Sequence, residues 1–314
     1  MALHSAAGET VTDAGEKTKD SHSIIIAIEE PELYQHPTKQ RHFSSVLREL
    51  AKLDAHAGTS AVQLLICSHS PHFLATDRFE EVRVVHRHQN PEEGTSISEV
   101  RQVSYEEVVD RLKSVLLDPA KGLDVEGLKV RLHTLTPTVS EGFFATKVVI
   151  VEGASDEAAI RAGVELVGKS LEAEGVSLVS VGGKGNIDKP MIIFNLLGIR
   201  TFCIFDSDSD KSQNDQKGAL NIQLQKLCGC EEPIEFRTHV SDDFASFDTN
   251  LEKVLRSEIG AECFDEAVAH AAYVYGMDHA SVKKCPAPMK HVLQRCAGNG
   301  HESASLSAIV AKIV

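Results

Sequence analysis

The sequence predicts an α/β protein of two units, each with a mostly parallel sheet flanked by helices. Short apolar runs rich in β-branched residues alternate with segments of helical periodicity, the order that βαβ connections leave in a sequence. The 314 residues are 42% hydrophobic and 25% charged, an ordinary globular balance with room for two cores. The strand–helix alternation restarts at Lys147 after a stretch of different character, which divides the chain in two.

Residues 7–23 are polar and read as a loop. The run Ile24, Ile25, Ile26, Ala27, Ile28 follows and predicts a buried strand. Pro37 opens a helix with Phe43, Val46, Leu47, Leu50 and Leu53 on one face. A second buried strand spans 62–67, and 81–86 and 96–103 alternate as two more, with an Asn-Pro-Glu-Glu-Gly turn between them. Residues 105–135 look helical without a single apolar stripe and read as a connector. From Lys147 the expected order is strand 148–151, helix 156–168, strand 177–181, helix 189–197 and strand 201–205. Helix 216–227, a short strand at 234–236 and helix 249–257 follow. The expected domain limits are 1–104, a helical connector over 105–145, and 146–314 with further helices at its end.

Composition excludes several classes. Asp and Glu number 46 against 32 Lys and Arg, a net charge of −14, which argues against coating nucleic acid by bulk charge. A carboxylate-lined metal site remains compatible, since bound cations offset its charge. Aromatics are 5% with no Trp, so base-stacking platforms are not expected. No apolar run approaches the roughly 18 residues of a membrane span, and the N-terminus lacks the basic and apolar regions of a secretory signal. Seven scattered cysteines, several inside apolar runs, read as reduced thiols of a cytoplasmic protein. Cys228-Gly-Cys230 has no second pair at zinc spacing.

Two constellations carry chemistry. In the first, the strand at 24–28 delivers Glu29 and Glu30 to its C-terminal end, where open parallel sheets bind ligands. One acid can hold a nucleotide's magnesium and the next can orient a water for attack on the γ-phosphate. The strand at 62–67 ends near His69, which could reach the same phosphate. Solvated strand-end side chains are the plain reading of either piece alone. Together, in this order and spacing, they resemble the Walker B and switch-histidine motifs of ABC-type ATPases, with wording similar to the OLD-family and RecF-like branch. That resemblance implies Glu29 as magnesium-side acid, Glu30 as hydrolytic base and His69 as γ-phosphate sensor. ABC-type motifs usually end Asp-Glu, and here the pair is Glu-Glu. No GxxxxGK[ST] loop exists to cradle phosphates, so this chain alone is expected to bind ATP poorly and to be the C-terminal part of a longer ATPase.

In the second constellation, Glu152 follows a strand, Gly153 permits a tight turn, and Asp156 falls in the next helix's first turn. A later strand ends in Gly182-Gly183-Lys184-Gly185-Asn186, and the one after it ends in Asp206-Ser207-Asp208-Ser209-Asp210. Residues i and i+2 of an extended chain point the same way, so Asp206 and Asp208 are expected to share a side. Converging carboxylates resist joint ionisation and suit Mg²⁺ or Mn²⁺. A calcium loop fails, because Lys211 and Lys217 stand where Gly and Glu are needed. An Asp- and Ser-rich surface turn is the plain alternative for the last motif alone.

The order of these motifs resembles the Toprim domain of topoisomerases, primases and OLD-family nucleases over roughly 146–295. The acid four residues after Glu152 is similar to the OLD type, which implies two metal sites. The resemblance also implies a glutamate and a lysine on later helices: Glu252, and one of Lys283, Lys284 and Lys290, of which Lys284 is chosen. Asp210 would ligate or only line the rim. The pairing as a whole resembles OLD-family nucleases, the C-terminal portion of an ABC-type ATPase domain followed by a Toprim domain. It implies an ATP-linked, metal-dependent DNA endonuclease or nickase of bacterial or phage-defence type. Glu152, Asp206 and Asp208 would hold one divalent cation, Asp156 and Glu252 a second, and Lys284 would neutralise charge on the phosphate. DNA is the implied partner, with a homodimer formed through the full-length ATPase domain and no membrane. Two rivals are a non-cleaving Toprim scaffold in DNA repair and a topoisomerase- or primase-like enzyme. The acidic set disfavours the first. The second lacks a suitable nucleophile among Tyr34, Tyr105, Tyr273 and Tyr275, and lacks a polymerising half.

Overall fold

The computed structural model describes residues 24–53, 62–74, 76–89, 94–116, 120, 122–132, 137–211 and 215–314. They belong to two compact units, Met1–Leu74 and Ala75–Val314. The loop expected over 7–23 and most of the turn expected over 90–94 lie outside the described residues.

In the first unit, β1 (Ile24–Glu29) runs parallel to β2 (Val62–Cys67), with α1 (Pro37–Leu53) between them in sequence. Leu47 of α1 is buried, and Phe43 meets Phe73 edge-on with ring centroids 6.3 Å apart. The strands are less buried than expected: Ile24, Ile25 and Leu65 are exposed. A two-stranded sheet with one helix cannot cover both of its apolar faces, and no third strand pairs with it among the described residues.

The second unit opens with an antiparallel pair, β3 (Val84–Gln89) and β4 (Ser96–Arg101). β3 starts later than the sequence predicts because 76–81 winds into 3₁₀ turns that bury Phe79 against Tyr105. The His86 ring nitrogen lies 2.7 Å from the Leu197 carbonyl oxygen, so this hairpin packs with the second unit although the sequence groups it with the first. The connector divides into α2 (Tyr105–Ser114), α3 (Val125–Arg131) and the single turn α4 (Pro137–Ser140). α2 carries a capping box, Ser104 with Glu107, and buries Tyr105, Val108, Val109 and Leu112.

The main sheet is built from β5 (Lys147–Val151), α5 (Ala154–Leu166), β6 (Val176–Ser180), α6 (Asp188–Leu196), β7 (Arg200–Asp206) and α7 (Asp215–Leu227). β8 (His239–Val240) and β9 (Phe244–Phe247) complete it in the order β6-β5-β7-β9-β8, parallel except for β8. The expected strand at 234–236 does not form. The Gln225 side chain satisfies both the N–H and the carbonyl of Ile234, and Asn221 binds the Glu235 carbonyl, so this backbone needs no ladder. Five helices end the chain: α8 (Leu251–Ile259), α9 (Ala261–Tyr275), α10 (His279–Val282), α11 (Pro286–Gly298) and α12 (Ala304–Ile313).

Strand alternation decides what packs where. Val149, Val151, Phe202, Ile204, Ala245 and Phe247 form one core with residues of α5, α8, α9, α11 and α12. Among the described residues no helix is long and apolar enough to cross a membrane. Because Phe202 is 1% exposed in this core, Phe202→Ala should cost about 3–5 kcal/mol in urea unfolding. A loss under about 1 kcal/mol, the range of surface changes, would contradict the packing described.

Candidate functional site

The parallel register that sets Val151 opposite Ile204 carries β5 and β7 to a common edge. Glu152 follows β5 there, and its Oε1 accepts the Asp206 N–H at 2.8 Å. Gly153 turns the chain into α5, and Asp156 in the first helical turn accepts the Gly153 N–H at 3.1 Å. That bond orients a carboxylate that is itself 8% exposed. Asp206 Oδ1 accepts the Leu251 N–H at 3.0 Å, which draws the start of α8, with Glu252, to the same corner.

Extended pairing persists briefly past β7, where Ser207 N–H donates to the Phe247 carbonyl and Asp208 N–H to that of Thr249. Asp208 then adopts φ 57°, the left-handed region. Simple alternation therefore does not place its carboxylate, as the sequence reading supposed. Lys184 does. The chain leaves β6 through Gly182 and Gly183, both at positive φ, which turns Lys184 inward. Its Nζ donates to the Asp206 carbonyl oxygen and, at 3.1 Å, to Asp208 Oδ2. In the sequence Lys184 sits inside a turn whose glycines are the visible signal, and nothing in that pattern assigns the lysine a role.

The lysine expected on the later helices is placed differently too. α10 ends at the buried Val282, and Lys283 at its C-cap reaches Glu252 Oε1 at 2.6 Å. Lys284, one residue on, is exposed, and Lys290 pairs with Glu165 on α5. Lys283 and not Lys284 thus lines a cavity with Asp156, Glu252 and Leu251. Asp210 is held by Lys253 at 2.6 Å, on the rim.

Burial and mutual repulsion govern this corner. Burial pushes the Asp206 carboxyl up to about 8, helped by the charges of Asp156 and Glu152 and opposed by the Leu251 N–H. Burial also lifts Asp156 to about 6, against the N–H groups of Gly153 and Glu152. Glu152 is raised by burial, with the Asp206 N–H and the Lys184 charge pulling the other way. Hard oxygen donors that cannot all ionise are the chemistry a divalent cation relieves, so the donor set fits Mg²⁺ or Mn²⁺. As placed, no three Asp, Glu, His or Cys side chains among the described residues close around one ion.

In the first unit, Glu29 ends β1 opposite Cys67, and Glu30 follows at φ 44°. His69 Nε2 lies 3.9 Å from Glu30 Oε1, both side chains well exposed. The pair is brought together by a residue given no role in the sequence reading, Glu32. Its carboxylate accepts the His69 N–H and the Ser68 hydroxyl, each at 2.7 Å. Burial pulls the Glu32 carboxyl up, but these hydrogen bonds and the His69 charge hold it below the ordinary value. Its spacing from the Glu pair, one turn on in the same loop, was the available signal.

Comparison with known proteins agrees with this division. Residues 143–208 match the TOPRIM domain family described as overcoming lysogenization defect protein-like, and residues 4–74 match an AAA ATPase domain. An OLD nuclease of Thermus scotoductus is 29% identical over 220 residues, covering 66% of this chain and 38% of its own length. The Old nuclease of Escherichia phage P2 is 26% identical over 232 residues, covering 72% of this chain and 35% of its own. The chain therefore spans little more than a third of the length of these curated relatives. The C-terminal region of the Burkholderia pseudomallei OLD protein aligns with 54% of this chain and 97% of its own, at 17% identity and a TM-score of 0.36. The resemblance to the OLD family read from the motifs is borne out, with an AAA ATPase region ahead of an OLD-like Toprim region.

A carboxyl whose folded pKa exceeds its unfolded value of 3.8 binds its proton more tightly in the fold. The stability Asp206 contributes is full below that value and is lost as pH rises through about 8. In EDTA, Asp206→Asn should therefore become progressively more stable than wild type from pH 4 to 8, reaching a few kcal/mol in urea unfolding. A difference independent of pH over this window would contradict the assignment.

Proposed function

We propose that this chain is the nuclease-bearing part of an ATP-linked, divalent-metal-dependent DNA endonuclease or nickase. The observation that carries the reading is the buried convergence of Glu152, Asp156 and Asp206, with Asp206 pushed up to about 8 by burial and by its acidic neighbours. The two OLD nucleases to which the chain is similar support it. Glu152, Asp206 and Asp208 would hold one cation, and Asp156 with Glu252 a second. Bound there, such ions supply water activation and neutralisation of charge at a scissile phosphodiester.

The chain's own residues do the rest. The Asp206 and Leu251 N–H groups hold the Glu152 and Asp206 carboxylates in fixed orientations before any ligand arrives. Lys283 takes the role first given to Lys284: its ammonium, 2.6 Å from Glu252 and facing the cavity shared with Asp156, neutralises charge on a bound phosphate. The limits 1–104, 105–145 and 146–314 belong to this proposal as segments of sequence, with the β3–β4 hairpin of the first segment packing in the second unit. Glu29, Glu30 and His69 would serve as magnesium-side acid, hydrolytic base and γ-phosphate sensor in an ATPase that has a phosphate cradle, and a homodimer would form through that ATPase. The seven free thiols suit a reducing cytoplasm.

Incubation of the chain with supercoiled plasmid in Mg²⁺, Mn²⁺ or EDTA, without ATP, tests the reading. Nicked or linear product should require metal, vanish in Asp206→Ala, and fall at least about tenfold in Lys283→Met, while Lys284→Met changes it little. Cutting that survives Asp206→Ala would contradict the assignment. DNA binding without cutting under any metal would favour a non-cleaving scaffold or a nuclease that needs its ATPase to assemble.

A further inference from the structure

Lys184 occupies an unusual place for a lysine. Its side chain is 7% exposed, and that of its partner Asp208 is 16% exposed. The ammonium donates to Asp208 Oδ2 at 3.1 Å and to the Asp206 carbonyl oxygen, so it bridges the first two acids of the motif that closes β7. Lysines are almost never this buried unless paired, because desolvating an ammonium costs several kcal/mol. The surrounding negative charge is what offsets that cost here.

We propose that Lys184 is the resident counter-ion of the acidic corner, holding Asp208 in the metal-free protein and competing with a divalent cation for it. The inference rests on reading this corner as a metal centre, and it adds how that centre is kept folded before loading. An ammonium is monovalent and tethered, whereas a divalent ion carries twice the charge to the same oxygens, so both cannot sit there without repulsion. Metal loading therefore exchanges one positive charge for another, and Asp208 passes from the ammonium to the ion. The φ of 57° at Asp208 is held by this ion pair and by the bond from its N–H to the Thr249 carbonyl.

The test is Mn²⁺ binding to the whole chain by calorimetry at pH 7.5, with melting temperature in EDTA as a second readout. Wild type, Lys184→Met, Lys184→Gln, Lys184→Arg and Asp206→Asn are compared. Lys184→Met and Lys184→Gln should bind Mn²⁺ about tenfold more tightly, the effect of removing one charge a few ångströms from a divalent ion under near-aqueous screening. Both should melt several degrees lower than wild type in EDTA and recover with Mn²⁺. Lys184→Arg keeps the charge and should stay near wild-type affinity. Unchanged or weaker Mn²⁺ binding in the folded neutral variants overturns the counter-ion role, while Asp206-dependent binding in wild type leaves the metal centre standing. Absence of Asp206-dependent binding in every variant overturns both.

Discussion

The parallel pairing of β5 with β7 is the constraint on which the candidate site depends. It sets Val151 opposite Ile204 and so brings Glu152 and Asp206 to one edge, where the backbone N–H of the second binds the carboxylate of the first. Each carboxylate is held by a partly buried hydrogen bond, and both sit at the ends of strands whose side chains fill the sheet's two faces.

Burial then forces every other choice. Acids placed together in low dielectric must protonate, pair or bind a cation. In the structure the first two devices are visible: Asp206 is held toward its protonated form, while Lys184 pairs with Asp208 and Lys283 with Glu252. The two lysines approach from different elements, one from the glycine turn after β6 and one from the C-cap of α10. The first unit uses a milder version of the same logic. There a half-buried Glu32 ties the loop after β1 to the loop after β2, which brings Glu30 near His69 while both remain exposed.

The fold was legible where strands are continuous apolar runs and helices start at marked positions. β5, β6 and β7 and the helices between them follow such signals closely. The carboxylates were legible because each ends a strand or opens a helix. What escaped depends on side chains acting at a distance. The segment 234–236 has strand-like residues, but Gln225 and Asn221 satisfy its backbone from α7. β8 and β9, of two and four residues, are too short to show a strand period in the sequence, although Phe244 and Phe247 are buried in the sheet. Lys283 and Lys284 are identical neighbours in the sequence, and only the turn at the end of α10 decides which one meets Glu252. Lys184 was hidden by a motif whose glycines are its more familiar feature.

What distinguishes a metal centre from a merely crowded set of acids is where a cation goes when offered one. Crystals of the chain soaked in Mn²⁺, with anomalous scattering recorded at the manganese edge, answer this directly. The account predicts a peak flanked by the carboxylates of Glu152, Asp206 and Asp208, with Asp208 released from Lys184. A map with no peak at this corner, and with the Lys184–Asp208 pair intact at saturating Mn²⁺, would contradict it.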